Sequence, residues 1–462
     1  MSTSIKDLPR TLAACLLGAL VAIFLVAATQ TRGSAQAADD FVGPGESIQK
    51  AIYAADPGDT IVVRGVHRED VIIRKDGIKV LGQDAVIEAP PKSNADSRCS
   101  RVSRAPEGIC VLGNANFETF ELTGPRVSDV TVSGFTFRGY FEDAIAVVGA
   151  RDATITKNRA SGRGATIVNG LSIGTKIISN VTRGEFPAPD ESGIGVNSSR
   201  NVTIAGNDVE GSSESAVAVE AGSTSVTVEG NDFTDNNLGI LVEEKSTGAR
   251  ILSNDITDST FVGTVILDSP GARILSNDMS RNEVDGIFLG GQKSQDAKVL
   301  GNDISGSAFG IYVGDAKGGS IAGNQVHDNC AGMFFESDVD EWPSDFEVTG
   351  NTVTDNTRSC RAARLDRNFS GIGIALLGAR DMEVTGNQIS GNVPSGPTRI
   401  SGGVVVATNP FESSETIKPR NNTVTGNNFG RNKPDIFWDE SGSGNVLRPN
   451  NCDTSVPSRL CN

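Results

Sequence analysis

Four arginines fall within ten residues, Arg358, Arg361, Arg364 and Arg367, in a chain whose formal net charge is −16. A guanidinium presents a planar fork of N–H donors, so such a cluster can grip a carboxylate or sulfate through paired hydrogen bonds. Shortly before it lies Glu336-Ser337-Asp338-Val339-Asp340-Glu341-Trp342, and the two segments could equally well pair with each other. Asp338, Asp340 and Glu341 could offer oxygens to Ca²⁺, although the segment lacks the glycine and distal glutamate of a calcium loop. Phe288, Tyr312 and Phe334 recur at intervals of 24 and 22 residues. Rings so spaced could stack on sugars, with Trp342 beside them, or form an apolar patch that a loop or partner covers. Proton-transfer groups are scarce, because His67 and His327 are the only histidines and neither belongs to these segments. Tyr312 with Arg364 or Arg367 is the one pairing of base and carboxylate neutraliser that a lyase or epimerase could use. Glu220 and Glu243 sit at equivalent places one repeat apart, and carboxylates about 5 Å apart suit a retaining glycosidase. A repeat generates such pairs unaided, and solvated surface charge accounts for them better.

These side chains become neighbours only if the chain winds so that residues one repeat apart lie side by side. Aligning on an asparagine that follows a short β-branched run yields Asn158, Asn180, Asn207, Asn231, Asn254, Asn277, Asn302, Asn324, Asn351, Asn387 and Asn427. The text recurs with them, as ILSN, VLGN, IAGN and VTGN. A period near 23 with three short apolar stretches per turn is the signature of a parallel β-helix, one coil per repeat. Alternation within each stretch sends one side chain inward and the next outward. Stacked asparagines would satisfy turn groups otherwise buried unpaired, so their role is structural. Glycine is abundant at 53 residues and aromatics make up only 5%, which excludes a helical protein or a Leu-rich solenoid. Ile48, Ala51, Ile52 and Ala55 share one helical face, fit to close the first coil, with Gly58–Val63, Glu69–Ile73 and Gly77–Val80 as the opening coil. Ile436-Phe437-Trp438 and a clip between Cys452 and Cys461 would close the other end. The expectation is an all-β chain of about 12 coils, roughly 55 to 60 Å long, over residues 41–440, with a C-terminal cap at 441–462.

Lys6 and Arg10 precede an apolar run from Thr11 to Ala28, followed by Ala35-Gln36-Ala37, so residues 1–37 read as a cleaved export signal, with an uncleaved anchor as the alternative. That segment carries a net +2 (Lys6, Arg10 and Arg32 against Asp7), so the remainder carries −18, a balance that disfavours nucleic acid and anionic membranes. Beyond Cys15 the six cysteines cluster as Cys99 with Cys110, Cys330 with Cys360 and Cys452 with Cys461. Loop proximity favours those disulfides among the 15 pairings that six cysteines allow. There is no CxxC, so thiol chemistry and metal binding are the less favoured use.

The helical lid, the GIxV strands and the GNxI turns resemble those of the secreted right-handed parallel β-helix repeat proteins, which share their superfold with pectate lyases and polygalacturonases. The resemblance covers nearly all of residues 41–462 and is nearest to uncharacterised members with a short Cys-clipped tail. It implies that polysaccharide would lie along the outer face of the first strand of each coil. The outward residues there are expected to be Ala146, Gly195, Ala218, Leu241, then Thr264 or Val265, then Phe288, Tyr312, Phe334, Gly373 and Val405. The polygalacturonase motifs have no counterpart: the only Asp-Asp is Asp39-Asp40 and no Gly-His occurs. The resulting expectation is a secreted or cell-surface protein that binds, and cleaves or epimerises, an anionic polysaccharide. A non-catalytic scaffold presenting loops to a cell-surface partner is the alternative. A periplasmic metal-handling accessory protein is a more remote one, for which two histidines and four methionines are few soft-metal ligands.

Overall fold

The computed structural model describes residues 39–91, 98–99, 107–116, 119, 121–140, 143–163, 166–185, 192–337, 341–362, 367–409 and 417–461. The expected export segment, Asp338, Asp340 and Arg364 lie outside them. One parallel sheet of 15 strands runs from Val71–Ile73 to Ser455–Val456. A 26-stranded sheet forms the rest of each coil, its short strands coming in pairs such as Arg250–Leu252 and Asp255–Thr257. Strands of these two sheets pair with their equivalents one coil away, so that Ile251 lies between Val228 and Ile274. This is a parallel β-solenoid, as the 23-residue period predicts.

The turn between the paired short strands explains the recurring text. The residue before each ladder asparagine is left-handed: Lys157, Ser179, Gly206, Gly230, Ser253 and Ser276 have φ between 51° and 60°, which favours glycine and tolerates few other residues. The asparagine then closes the corner. Asn254 donates its backbone N–H and its Nδ2 to Asn277 Oδ1, each at 2.9 Å, and Nδ2 also reaches the Val228 carbonyl at 3.0 Å. The same three contacts recur from Asn158 to Asn427, every ladder side chain being at most 2% exposed. The carboxamides therefore satisfy donors and acceptors that no water reaches.

A second ladder stands five residues further on and escaped the one-per-coil alignment. Asn236, Asn282, Asn329, Asn356, Asn392 and Asn432 occupy it, with Ser212, Ser259 and Ser307 between; Ser307 N–H donates to Asn329 Oδ1 at 2.9 Å, and Asn329 N–H to Asn356 Oδ1 at 3.1 Å. Inside, Ile155, Ile177, Ile204, Val228, Ile251, Ile274, Val299, Ile321, Val348, Val384 and Val424 form one continuous buried column.

The ends are closed as expected. Helix Ile48–Ala54 buries Ile48 and Ile52, and Glu69 accepts from Ser47 Oγ and the Ile48 N–H at its N-terminus. The stack does not stop at residue 440: Ser455–Val456 pairs with Ile436–Trp438, and Asn450 continues the asparagine ladder. Such terminal pairings raise the long sheet to 15 strands against the expected dozen coils. All three disulfides form, Cys99–Cys110, Cys330–Cys360 and Cys452–Cys461. Among the described residues no helix is long and apolar enough to cross a membrane.

Candidate functional site

Register along the 15-stranded sheet defines its outer face. One outward column reads Ala146, Val168, Gly195, Ala218, Leu241, Val265, Phe288, Tyr312, Phe334, Ala375 and Val405. Of the two alternatives Thr264 and Val265, it is Val265 that points out, while Thr264 is buried inside, its hydroxyl 3.9 Å from Met279 Sδ. One expectation is corrected: Ala375, not Gly373, stacks on Phe334. Gly373 belongs instead to a glycine column, Gly239, Gly263, Gly286, Gly310, Gly332 and Gly373, where an added Cβ would come within 2.3 to 2.7 Å of the next glycine carbonyl. That close approach is why a glycine stands second in each of these strands. It also interrupts the alternation, so Phe309 as well as Tyr312 joins the outer cluster while Ile311 stays in the core.

The expected aromatic ladder forms but is only partly open. Phe288 and Tyr312 are half-buried and stacked, with centroids 5.6 Å apart and planes at 15°. Tyr312 and Phe334 follow at 5.9 Å. Phe334, however, is 0% exposed, because Phe309 packs on it at 4.9 Å and Phe369 at 5.5 Å. Phe369 arrives on an antiparallel hairpin, Cys360–Ala362 with Arg367–Phe369, which the Cys330–Cys360 disulfide ties to the previous coil. Below Phe288 an apolar floor continues through the buried Leu241 and Val265, with Leu238, Leu267 and Val284 half-buried beside it.

Polar groups converge on this floor. Tyr312 Oη donates to Glu336 Oε2 at 2.8 Å, and Asn409 Nδ2 donates to Glu336 Oε1 at 3.0 Å and to the Ser337 carbonyl at 2.8 Å. Glu336 is buried and holds the phenol in one orientation. Asn409 lies 73 residues from Glu336, and no local pattern announces it. Asp285, between Val262 and Phe309 in register, is buried, and its Oδ1 has no hydrogen-bond partner among the described residues. Burial pushes its carboxyl well above the usual carboxylate range. Unpaired buried acids of this kind concentrate at functional sites, and the only trace in the sequence is an aspartate before the Gly-Ile of a strand. Glu243 is also held above its ordinary value, by burial first and then by Glu244 and Glu214.

The arginine loop is differently disposed from the expected wall. The Arg358 guanidinium donates to the Gly306 carbonyl, and Arg361 is exposed. Arg367 begins the second hairpin strand; Arg364 lies outside the described residues. Of the calcium candidates only Glu341 is described, and it accepts from Gln292. Trp342 is stacked by the Arg380 guanidinium, 3.5 Å from the ring centroid, with Lys317 Nζ at 5.9 Å, so a cation already occupies that ring. The histidines are committed elsewhere. His67 is buried with its ring nitrogens 2.9 and 3.0 Å from the Glu46 and Arg64 carbonyls, and His327 lies between Asp303 and Asp328.

Two family models match the chain. The one described as "Right handed beta helix region" matches residues 238–429, and "Periplasmic copper-binding protein (NosD)" matches residues 57–262. No curated protein matches. Among solved structures, the A-module of mannuronan C-5 epimerase AlgE4 from Azotobacter vinelandii is similar at 17% identity and TM-score 0.44, covering 90% of this chain and 98% of that one. The periplasmic alginate epimerase AlgG is similar at 13% and 0.38, covering 87% and 84%. PfbA, a surface adhesin of Streptococcus pneumoniae, is similar at 13% and 0.41, covering 87% of each chain. Among the described residues of 57–262 no set fits a copper ion. Cys99 and Cys110 gather with Glu107, but the two sulfurs are spent in a disulfide. His67 faces two carbonyls, and the buried methionines, Met279, Met333 and Met382, lie outside the span.

Proposed function

We propose that this right-handed parallel β-helix, similar over residues 238–429 to the β-helix family model, is an extracytoplasmic protein that binds a polysaccharide along the outer face of its 15-stranded sheet, between Leu238 and Val313. The observation that carries this reading is the Phe288–Tyr312 stack, two half-open rings one coil apart on an apolar floor. Sugar rings present C–H faces that pack on such rings while their hydroxyls seek acceptors. Glu243, just past the end of the strand Leu238–Val242, supplies an acceptor. Three disulfides agree with an oxidising compartment.

The anionic-polymer form of this reading draws on Arg361 and Arg367, and its catalytic form on Tyr312 as the proton-transfer group with Arg364 or Arg367 neutralising a uronate carboxylate. Against a wholly anionic ligand stand Glu243, Glu336 and Asp285 around the floor. Arrayed neutral and uronate glycans, followed by titration of the best binder, test the proposal. Phe288→Ala and Tyr312→Ala should each weaken binding about tenfold, the loss of one stacking contact. Binding that survives the double variant would reject the site. Ultraviolet absorbance of unsaturated product tests a lyase, and proton exchange at the uronate carbon an epimerase. The scaffold reading draws on the sealing of the third ring under Phe309 and Phe369. It predicts no glycan binding and loss of partner capture when the loop 357–371 is shortened.

A further inference from the structure

At the turn that leaves the 15-stranded sheet, near its N-terminal end, three guanidinium groups meet in a chain that is otherwise strongly acidic. Arg151 and Arg200 occupy the same turn column two coils apart, bridged through Ile173. Arg126 reaches the level between them, its Nε donating to the Leu171 carbonyl at 3.0 Å. Arg126 is half-buried and the other two are exposed. Arg126 and Arg200 line an open depression of about 370 Å³, together with Ser198, Ser199 and Thr224. Ser198 Oγ and Ser199 Oγ are donors to the Ala221 and Asn197 carbonyls, which leaves each oxygen's position set, while the half-buried Thr224 hydroxyl opens onto the depression.

Like charges brought this close oppose one another, and no carboxylate pairs with any of the three among the described residues. The Arg126 guanidinium is accordingly held below its ordinary value, by burial first and then by Arg151 and Arg200. Two other arginines behave differently. Arg183 is paired with Asp208 and Glu210, and Arg281 with Asp258. In a chain of net charge −16 carboxylates are plentiful, so three arginines that meet none among the described residues make a positive spot suited to an external anion.

We propose that this depression is an oxoanion-binding site, in which Arg126 and Arg200 hold a sulfate, phosphate or carboxylate group beside Thr224, and Arg151, further along the same turn column, adds to the positive field. Forked N–H donors match the edges of tetrahedral and carboxylate oxoanions alike. The site is independent of the Phe288–Tyr312 floor and stands whether or not that surface binds sugar.

The test is titration of the full chain, by calorimetry and by thermal melting, with inorganic sulfate, inorganic phosphate and glucuronate, each against chloride at matched ionic strength. At least one oxoanion should raise the melting temperature saturably where chloride does not. Which of the three does so separates a tetrahedral ion from a sugar-borne carboxylate. Arg151→Gln and Arg200→Gln, both exposed turn positions, should each weaken binding about tenfold, and the double variant should abolish the shift. In the absence of ligand that variant should melt no lower than the parent, since it relieves repulsion. Equal shifts in oxoanion and chloride, or a shift unchanged in the double variant, would overturn the proposal.

Discussion

On the outer face of the long sheet Phe288 and Tyr312 stay half-open, whereas the column from Phe334 to Val405 lies under a cover. The floors differ little: Leu241 and Val265 in the first region answer to Ala375 and Val405 in the second. What differs is the length of chain between successive ladder asparagines. Asn254 and Asn277 are 23 residues apart, but Asn351 and Asn387 are separated by 36 and Asn387 and Asn427 by 40. The surplus before the strand becomes the Cys360–Phe369 hairpin and the segment carrying Ile400, and both pack on Phe334 and its neighbours. A solenoid thus changes the chemistry of a face without altering its backbone, by spending extra residues at one corner.

Four measurements would break or sharpen that contrast. Phe369→Ala should be the most disruptive, destabilising the covered region by about 3 to 5 kcal/mol, read from urea unfolding. A folded variant should also bind more hydrophobic dye as Phe309 and Phe334 are uncovered. An unchanged unfolding midpoint would mean that the hairpin is not a lid.

Removing the brace comes next. Cys330→Ser with Cys360→Ser should cost about 2 to 4 kcal/mol and leave glycan binding at Phe288 and Tyr312 unaltered, since those rings belong to the open region. Loss of binding in that variant would instead join the two regions into one site.

Asp285 stands at the border between them. Its folded-state pKa is raised, so the stability that its neutral form contributes is present below the ordinary carboxylate value and lost as pH rises through the folded one. Asp285→Asn should therefore raise the melting temperature at neutral pH and make little difference near about pH 4. A lower melting temperature at neutral pH would show instead that the ionised form has a partner.

The smallest effect is expected on the other sheet. Burial alone would lower the His327 pKa, but hydrogen bonds to Asp328 and Asp303 outweigh it and the net shift is upward. The contribution is present below the ordinary histidine value of about 6.5 and is lost as pH rises through the folded one. His327→Gln should flatten that slight decline in stability. Because the ring is only half-buried, the difference should be a minor shift in the unfolding midpoint.

The legibility of the candidate site follows the range of the contacts that make it. Phe288 and Tyr312 were readable as neighbours because they are one period apart. That Phe334 is shut off was not, because Phe369 reaches it from inside an insertion that obeys no period. Trp342 read as part of the binding surface, yet Arg380 covers it from 38 positions further along. Asn409 and Glu336 meet across two coils, and the arginine trio depends on side chains reaching across the same turn from three coils. The second asparagine ladder was legible in principle as an N-x₄-N spacing, and the choice of a single asparagine per repeat hid it.

By itself the sequence determined the solenoid, its lid, its asparagine corners, its core columns and its disulfide pairs. Each of these depends on local alternation, turn conformation or a fixed period, all of which act between residues near in the chain or one repeat apart. Only the tertiary structure decided which stretch of the outer face stays open, which arginines find carboxylates and which acid is buried without a partner. Those outcomes depend on where irregular loops come to rest and on how much water they displace, quantities that no repeating pattern encodes.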